Sequence, residues 1–296
     1  MPENREKADS RFIELHFVKI NAKLDEDNDA EVKWTQPKAG KRDDPVIYLT
    51  GGPGAKVTTY VKRFKDHGLI KHRDLFILEQ RGIGYSDDFC PFYSTRQLSV
   101  KNPKTYAEKL AQKNDAIRQC FHNATRAGVD LSGYNTIENA RDVQALRMAL
   151  GFESWNVWGL SYGTILGQAY LKQDPQGIKA VALDSVMPLF ARDDALYWRI
   201  AKWYDRDLKK LDDACQQDEN CAEYYTDLGG QVRAVAQSVT NFPISVEVKD
   251  VEHYPDGQAR LFEYEAVGLP FMLLYEDSNF PALQVIIYGW SEKIRQ

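Results

Sequence analysis

Residues 154–173 read SWNVWGLSYGTILGQAYLKQ, and the fold follows from them. SWNVW (154–158) is a short apolar run of β-formers. A helix is expected from just after Ser161 to about Asp174, where Pro175 stops it. Between the two lies Gly159-Leu160-Ser161-Tyr162-Gly163, a G-x-S-x-G sequence in the strand-to-helix setting that a nucleophilic serine on a tight turn requires. The spacing has a steric reason: Ser161 sits in a strained turn, and the flanking glycines leave room for strand and helix to approach. The helix N-terminus also favours negative charge near Ser161.

Working outward, PVIYLT (45–50), DLFILE (74–79) and IKAVALD (178–184) are further apolar runs bounded by turn residues. Continuous apolar runs of this kind suit strands covered on both faces. Thr136 is placed to cap a helix in which Ala140, Val143, Leu146 and Leu150 recur at helical spacing, with Gly151 at C′. Strand, helix and strand in repetition predict an α/β fold, a mostly parallel sheet with helices on both faces. Arg11 to Leu24 alternates apolar and polar residues like an edge strand or hairpin, and Asp25 to Asp29 is a polar turn. After Pro188 the composition shifts. Asp193 to Ser238 has helical spacing, including Trp198, Trp203, Leu208 and Leu211, and Phe242 to Phe262 reads as two strands around Tyr254-Pro255-Asp256-Gly257. The division expected is therefore a core over 1–189 and a mainly helical lid over 190–296.

Two other loops bear on chemistry. Gly51-Gly52-Pro53-Gly54 follows the PVIYLT strand, and its glycines let the backbone come close to a substrate. The amides of Gly52 and Tyr162 are the expected oxyanion donors. Glu79-Gln80-Arg81-Gly82-Ile83-Gly84-Tyr85-Ser86 follows the next strand as a tight loop, in which Arg81 is expected to pair with a carboxylate in a structural role.

The chain has 296 residues, 43% hydrophobic and 27% charged, with a net charge of −5. It is long enough for one sizeable core. No basic stripe suggests nucleic acid, and no run approaches the roughly 20 apolar residues that cross a bilayer. Met1 to Ser10 is too polar for a signal peptide. The four cysteines, Cys90, Cys120, Cys215 and Cys221, are compatible with disulfides or with buried thiols. Cys215 and Cys221, about 9 Å apart in an unbroken helix, can bond only if the helix breaks near Asp218-Glu219-Asn220. No cysteine or histidine spacing suggests a metal, and no cofactor is expected.

With G-G-P-G, E-Q-R-G-I-G-Y-S and G-L-S-Y-G in this order, the chain resembles the proline iminopeptidase and tripeptidyl aminopeptidase family of α/β-hydrolases. The likeness covers roughly residues 2 to 290, beginning with Pro2-Glu3-Asn4-Arg5. Thr50 and Glu79 depart from it, where many relatives have histidine and aspartate. The resemblance implies an α/β-hydrolase fold, a serine nucleophile at Ser161, a helical lid, and cleavage of small peptides at their N-terminus, although some relatives are esterases or lactonases. It further implies that cysteines like these four form disulfides, that the parent protein is secreted or periplasmic, and that lid carboxylates bind the peptide amine. Glu219, Glu223, Glu263 and Glu265 are the candidates here.

A serine needs a histidine to take its proton and a carboxylate to orient that histidine, in the order Ser, Asp or Glu, His in this fold. His253 is the one histidine after Ser161, in the expected hairpin, and reads more readily as a surface residue. Asp184 ends a strand and is a candidate acid, although an aspartate there more often fixes the following loop. Phe280 to Trp290 resembles the last lid helix, after which relatives carry the Asp and His strands. Two expectations compete: a truncated serine exopeptidase with little turnover of its own, or a complete, non-catalytic binding module. The expected partner is a small peptide or ester, with no nucleic acid and no membrane.

Overall fold

The computed structural model describes residues 1–23, 40–57, 61–90, 103–190, 193–240, 243–252 and 254–295. The polar turn read at 25–29 and His253 lie outside the described residues. The chain divides into two compact units, one of residues 1–91 and 120–191, the other of 92–119 and 192–296. Residues 92–119 group with the C-terminal portion rather than with the residues that flank them.

The first unit is built on five strands: β1 (Phe17–Ile20), β2 (Val46–Leu49), β3 (Leu75–Leu78), β4 (Trp155–Leu160) and β5 (Ile178–Asp184), in the order β1-β3-β2-β4-β5. Only β1 runs antiparallel to its neighbour. Its alternating residues occupy one sheet edge, as the period-2 pattern predicts, over a shorter span than 11–24. β2 and β3 are buried along their whole length. In β2, Ile47 and Leu49 pack on one face with Val143 and Leu146 of α2 (Thr136–Ala149) and Leu166 and Tyr170 of α3 (Tyr162–Gln173). Val46 and Tyr48 point to the other face, against Phe64, Ile70, Leu75 and Ile77. Two covered faces explain why these strands read as unbroken apolar runs.

β5 departs from that expectation. It pairs with β4 alone among the described residues, and Lys179, Ala180, Val181 and Ala182 are exposed. The cap of α2 is also corrected: Asn135, not Thr136, accepts from the Glu138 amide, which leaves the Thr136 hydroxyl for Tyr162. Gly151 follows the C-cap Leu150 at φ +75°, the left-handed C′ position.

A buried ionic network fastens the N-terminal segment to this unit. Arg81 is fully buried and donates from Nε and Nη2 to both oxygens of Asp142, each at 2.7 Å. Its Nη1 donates to the carbonyls of Glu3 and Gly133. Glu3 accepts from Arg11 and Tyr134, each at 2.7 Å, and from the Asp130 amide. Arg5 bridges Glu138 and Asp142 at 2.6 and 2.8 Å. A planar guanidinium with every donor used is what makes so buried an arginine tolerable.

In the second unit, α1 (Tyr106–Arg126) contributes its first part, with Lys109 bonded to Glu265 and lying over the Phe262 ring. The remaining helices are α4 (Asp193–Gln216), α5 (Glu219–Tyr224), α6 (Leu228–Val239), α7 (Glu263–Leu273) and α8 (Phe280–Arg295). Leu208 and Leu211 of α4 pack on Leu228 and Val232 of α6 and on Leu283 and Ile287 of α8. Trp198 and Trp203, on the same helical run, are instead exposed, at 73% and 44%. The hairpin of β6 (Ile244–Glu247) and β7 (Gln258–Leu261) is antiparallel. Cys215 and Cys221 are bonded with Cα atoms 5.1 Å apart. The helix breaks between Gln216 and Glu219, where Asp218 caps α5. Cys90 and Cys120 form the second disulfide.

The network sets a pH dependence. Burial works against the charged forms of Glu3 and Glu138, yet bonds from Arg11 to the first and from Arg5 and Arg141 to the second hold both carboxyls below their usual range. A carboxylate whose folded pKa is depressed contributes stability above its unfolded value, about 4.3 for glutamate, and loses it as pH falls through the folded value. Thermal denaturation is therefore expected to show a steady fall in Tm from about pH 4.3 downward, and a shallower fall in Glu3→Gln. An equally steep fall in that variant would remove Glu3 from the account.

Candidate active site

The parallel register lines up the carboxyl ends of three strands. Leu49 of β2 pairs with Gly159 of β4, and Leu160 of β4 with Asp184 of β5. The loop after β2, the turn after β4 and the end of β5 therefore open at one end of the sheet, the end where parallel α/β sheets hold their ligands.

Ser161 is the N-cap of α3 with φ 55° and ψ −120° and a side chain that makes no capping bond. A non-glycine residue in that region costs about 1–3 kcal/mol and persists only where its surroundings impose it. The surroundings here are main chain. A Cβ on Gly163 would run into the Leu49 carbonyl, and one on Gly159 into the carbonyl of Gly163. Both glycines of the G-x-S-x-G sequence are thus required by backbone packed on backbone. Held this way, Ser161 donates its N–H to the Asp184 carbonyl at 3.0 Å, and its hydroxyl has no hydrogen-bond partner among the described residues.

The Gly51–Gly54 loop lies against the serine. A Cβ on Gly51 would lie 3.0 Å from Ser161 Cβ and 3.3 Å from its Oγ. Gly52 follows at φ +112°, where a Cβ would meet the Gly54 and Ala55 amides at 2.7 and 2.9 Å. It is Gly51 that touches Ser161, a contact the sequence reading did not single out. Tyr162, the residue after the serine, opens α3, so its N–H is one of the free amides of a helix start. Its ring is buried, and its hydroxyl meets Thr136 Oγ1 at 2.9 Å. Burial pushes the Tyr162 phenol up, partly offset by that bond, so it stays neutral.

The other sequence candidates fall as follows. Asp184 is exposed at the end of β5, and its carboxylate accepts from Ser185 Oγ at 3.2 Å. His253 lies outside the described residues. Arg81 is structural, as expected. Glu79 is buried and accepts from the Tyr85 amide at 2.8 Å, while the carbonyl of Thr50 accepts from Gln80. Of the four carboxylates considered for an amine, Glu265 is committed to Lys109 and to the Phe262 amide, and Glu219, Glu223 and Glu263 are exposed. A crevice lined by Lys41, Asp44, Phe152 and Lys179 opens at the amino ends of the strands, away from Ser161, with Asp44 already held by Arg73 and Lys179.

Residues 44–226 match the family described as alpha/beta hydrolase fold. The tripeptidyl aminopeptidase of Streptomyces lividans is 31% identical over 159 residues, 50% of this chain and 29% of that protein. The proline iminopeptidase of Xylella fastidiosa is 27% identical over 145 residues, 49% of this chain and 33% of that protein. The chain thus spans about a third of the length of these relatives. Among solved structures, an alpha/beta hydrolase from a Medee basin deep-sea metagenome library aligns with TM-score 0.35 and 10% identity, over 95% of this chain and 69% of that one.

If main-chain contact is what demands glycine at 163, then Gly163→Ala should destabilise the protein at the upper end of the 1–3 kcal/mol typical of overpacking, or more. Denaturant unfolding measures this. A loss under about 0.5 kcal/mol, ordinary for a surface change, would mean that the helix does not sit this close to β2.

Proposed function

Because the chain belongs to the alpha/beta hydrolase family, we propose that it acts as a serine hydrolase that releases proline or short peptides from peptide N-termini through an acyl-enzyme on Ser161. The observation that carries this reading is the left-handed Ser161 turn at the carboxyl end of the sheet, with no hydrogen-bond partner for its hydroxyl among the described residues and the Gly51 backbone against it. Such strain is retained where it serves to present a group. Oγ attacks the scissile carbonyl and passes its proton to a histidine base. The amides of Gly52 and Tyr162 receive the charge that develops on the carbonyl oxygen. Pre-aimed donors of this kind contribute about 3–4 kcal/mol each. Collapse expels the amine, which takes the proton from the base, and water then releases the acyl group.

The peptidase half of the proposal draws its support from the tripeptidyl aminopeptidase and proline iminopeptidase names of the relatives. The two disulfides support an exported protein, since such bonds persist in oxidising compartments.

The test is labelling by a fluorophosphonate probe, with hydrolysis of a p-nitrophenyl ester and of proline and tripeptide p-nitroanilides alongside. Loss of labelling in Ser161→Ala is expected, with ester turnover reduced to background. A nucleophile deletion costs on the order of 10⁶ in kcat in a comparable triad. Labelling lost as well in His253→Ala identifies the base, and labelling retained there locates the base elsewhere. An unlabelled parent, or a Ser161→Ala variant that labels like it, overturns the hydrolase reading. Ester cleavage with no action on either anilide overturns the peptidase half alone.

A further inference from the structure

Two side chains of α3 do more than cover the sheet. Thr164 is fully buried. Its Oγ1 donates to the Ser161 carbonyl at 2.7 Å, and the Thr164 amide donates to the same oxygen at 2.8 Å. The hydroxyl has one proton, which the closer Ser161 oxygen takes in preference to the Met187 carbonyl at 3.4 Å. A lone pair on Oγ1 then accepts the Met187 amide at 2.8 Å.

One turn on, Gln168 Nε2 donates to the carbonyls of Thr164 and Met187 at 3.0 and 2.7 Å, and Oε1 accepts the Leu189 amide at 3.2 Å. The orientation of this carboxamide is fixed by its partners, because a flip would aim its oxygen at two carbonyls. The main-chain groups of Met187 and Leu189, just beyond β5, thus find their partners in these two side chains.

Ser161 is consequently tied to one segment from both sides. Its N–H goes to Asp184, and its carbonyl reaches Met187 through the Thr164 hydroxyl. We infer that Thr164 and Gln168 are positioning residues that clamp the Ser161 turn to residues 184–189 and so set the alignment of the Ser161 side chain with the surrounding amides. The inference rests on Ser161 being the nucleophile. Neither residue touches the reacting atoms. The clamp acts by holding the main chain of the turn in the one orientation that aims Oγ at the amides of the helix start and the glycine loop.

The test reads that alignment without needing a catalytic base. Ser161→Cys puts a thiol at the position, and every native cysteine of the described chain is in a disulfide, so the introduced thiol is titrated alone. It is followed by thiolate absorbance at 240 nm and by alkylation with iodoacetamide. An ordinary thiol has a pKa of about 8.5, and one facing a helix start and free amides titrates lower. In the Ser161→Cys background the expected value is at least about one unit below 8.5.

Adding Thr164→Val, which keeps shape and loses the hydroxyl, should return the pKa most of the way to about 8.5 and slow alkylation at pH 7 by about fivefold. Adding Thr164→Ser should leave both as in the parent, and Gln168→Met should shift them in the same direction by less. Melting curves select a temperature at which all variants are folded, so a purely structural role would lower Tm and leave the pKa unmoved. A depressed pKa that Thr164→Val does not change overturns the clamp alone. An undepressed pKa in Ser161→Cys itself overturns the nucleophile reading, and the clamp with it.

Discussion

The close approach of α3 to β2, main chain against main chain at Gly163 and Leu49, is the constraint on which the site depends. A side chain at 163 would push the helix away from the strand, and Ser161 would no longer be forced into the left-handed region between them. Gly159 meets a demand of the same kind, since a Cβ there would run into the Gly163 carbonyl. Packing energy from Leu166, Ala169 and Tyr170 against Ile47, Leu49 and Val157 holds the helix in place. The strain of the serine, about 1–3 kcal/mol, is small beside the burial of those side chains, at roughly 1.5–3 kcal/mol each. The core of the unit therefore imposes the conformation of Ser161.

The ionic network does for the outer loops what the glycines do for the elbow. Asp142 on α2 fixes Arg81, Arg81 fixes the carbonyls of Glu3 and Gly133, and Asn135 caps the same helix. The hydroxyl of Thr136, next to that cap, shares a hydrogen bond with the Tyr162 hydroxyl. A chain of bonded groups thus runs from the N-terminal segment through α2 to Tyr162, the residue that follows Ser161. Buried pairs of this kind add little net stability and penalise alternatives strongly. Here that amounts to a defined position for α2 relative to α3.

Much of this was legible in the residues. Backbone crowding selects glycine, so G-x-S-x-G between a β-forming run and a helix gave away both the turn and its serine. Strands buried on two faces announce themselves as apolar runs, which located β2 and β3. IKAVALD is a strand as its composition predicts, but among the described residues it pairs with β4 alone and is largely exposed, because composition reports hydrophobicity and not which neighbour is present. Trp198 and Trp203 do lie on the helix that their spacing predicts, with both side chains exposed. Thr136 was read as a cap because threonine and asparagine compete for that role, and Asn135 stands one residue earlier. Thr164, Gln168 and Gly51 were missed, since their parts depend on which loop folds back against them. The only sequence hint was a polar pair on the apolar side of a helix.

The account's central claim is that this turn presents Ser161 as the atom that becomes acylated. Brief reaction with a p-nitrophenyl ester, acid quench and tryptic mapping by mass spectrometry tests it most directly. The account predicts one acyl group on the peptide of residues 148–172, MALGFESWNVWGLSYGTILGQAYLK, with fragment ions placing it on Ser161. Acylation confined to any other residue would contradict it.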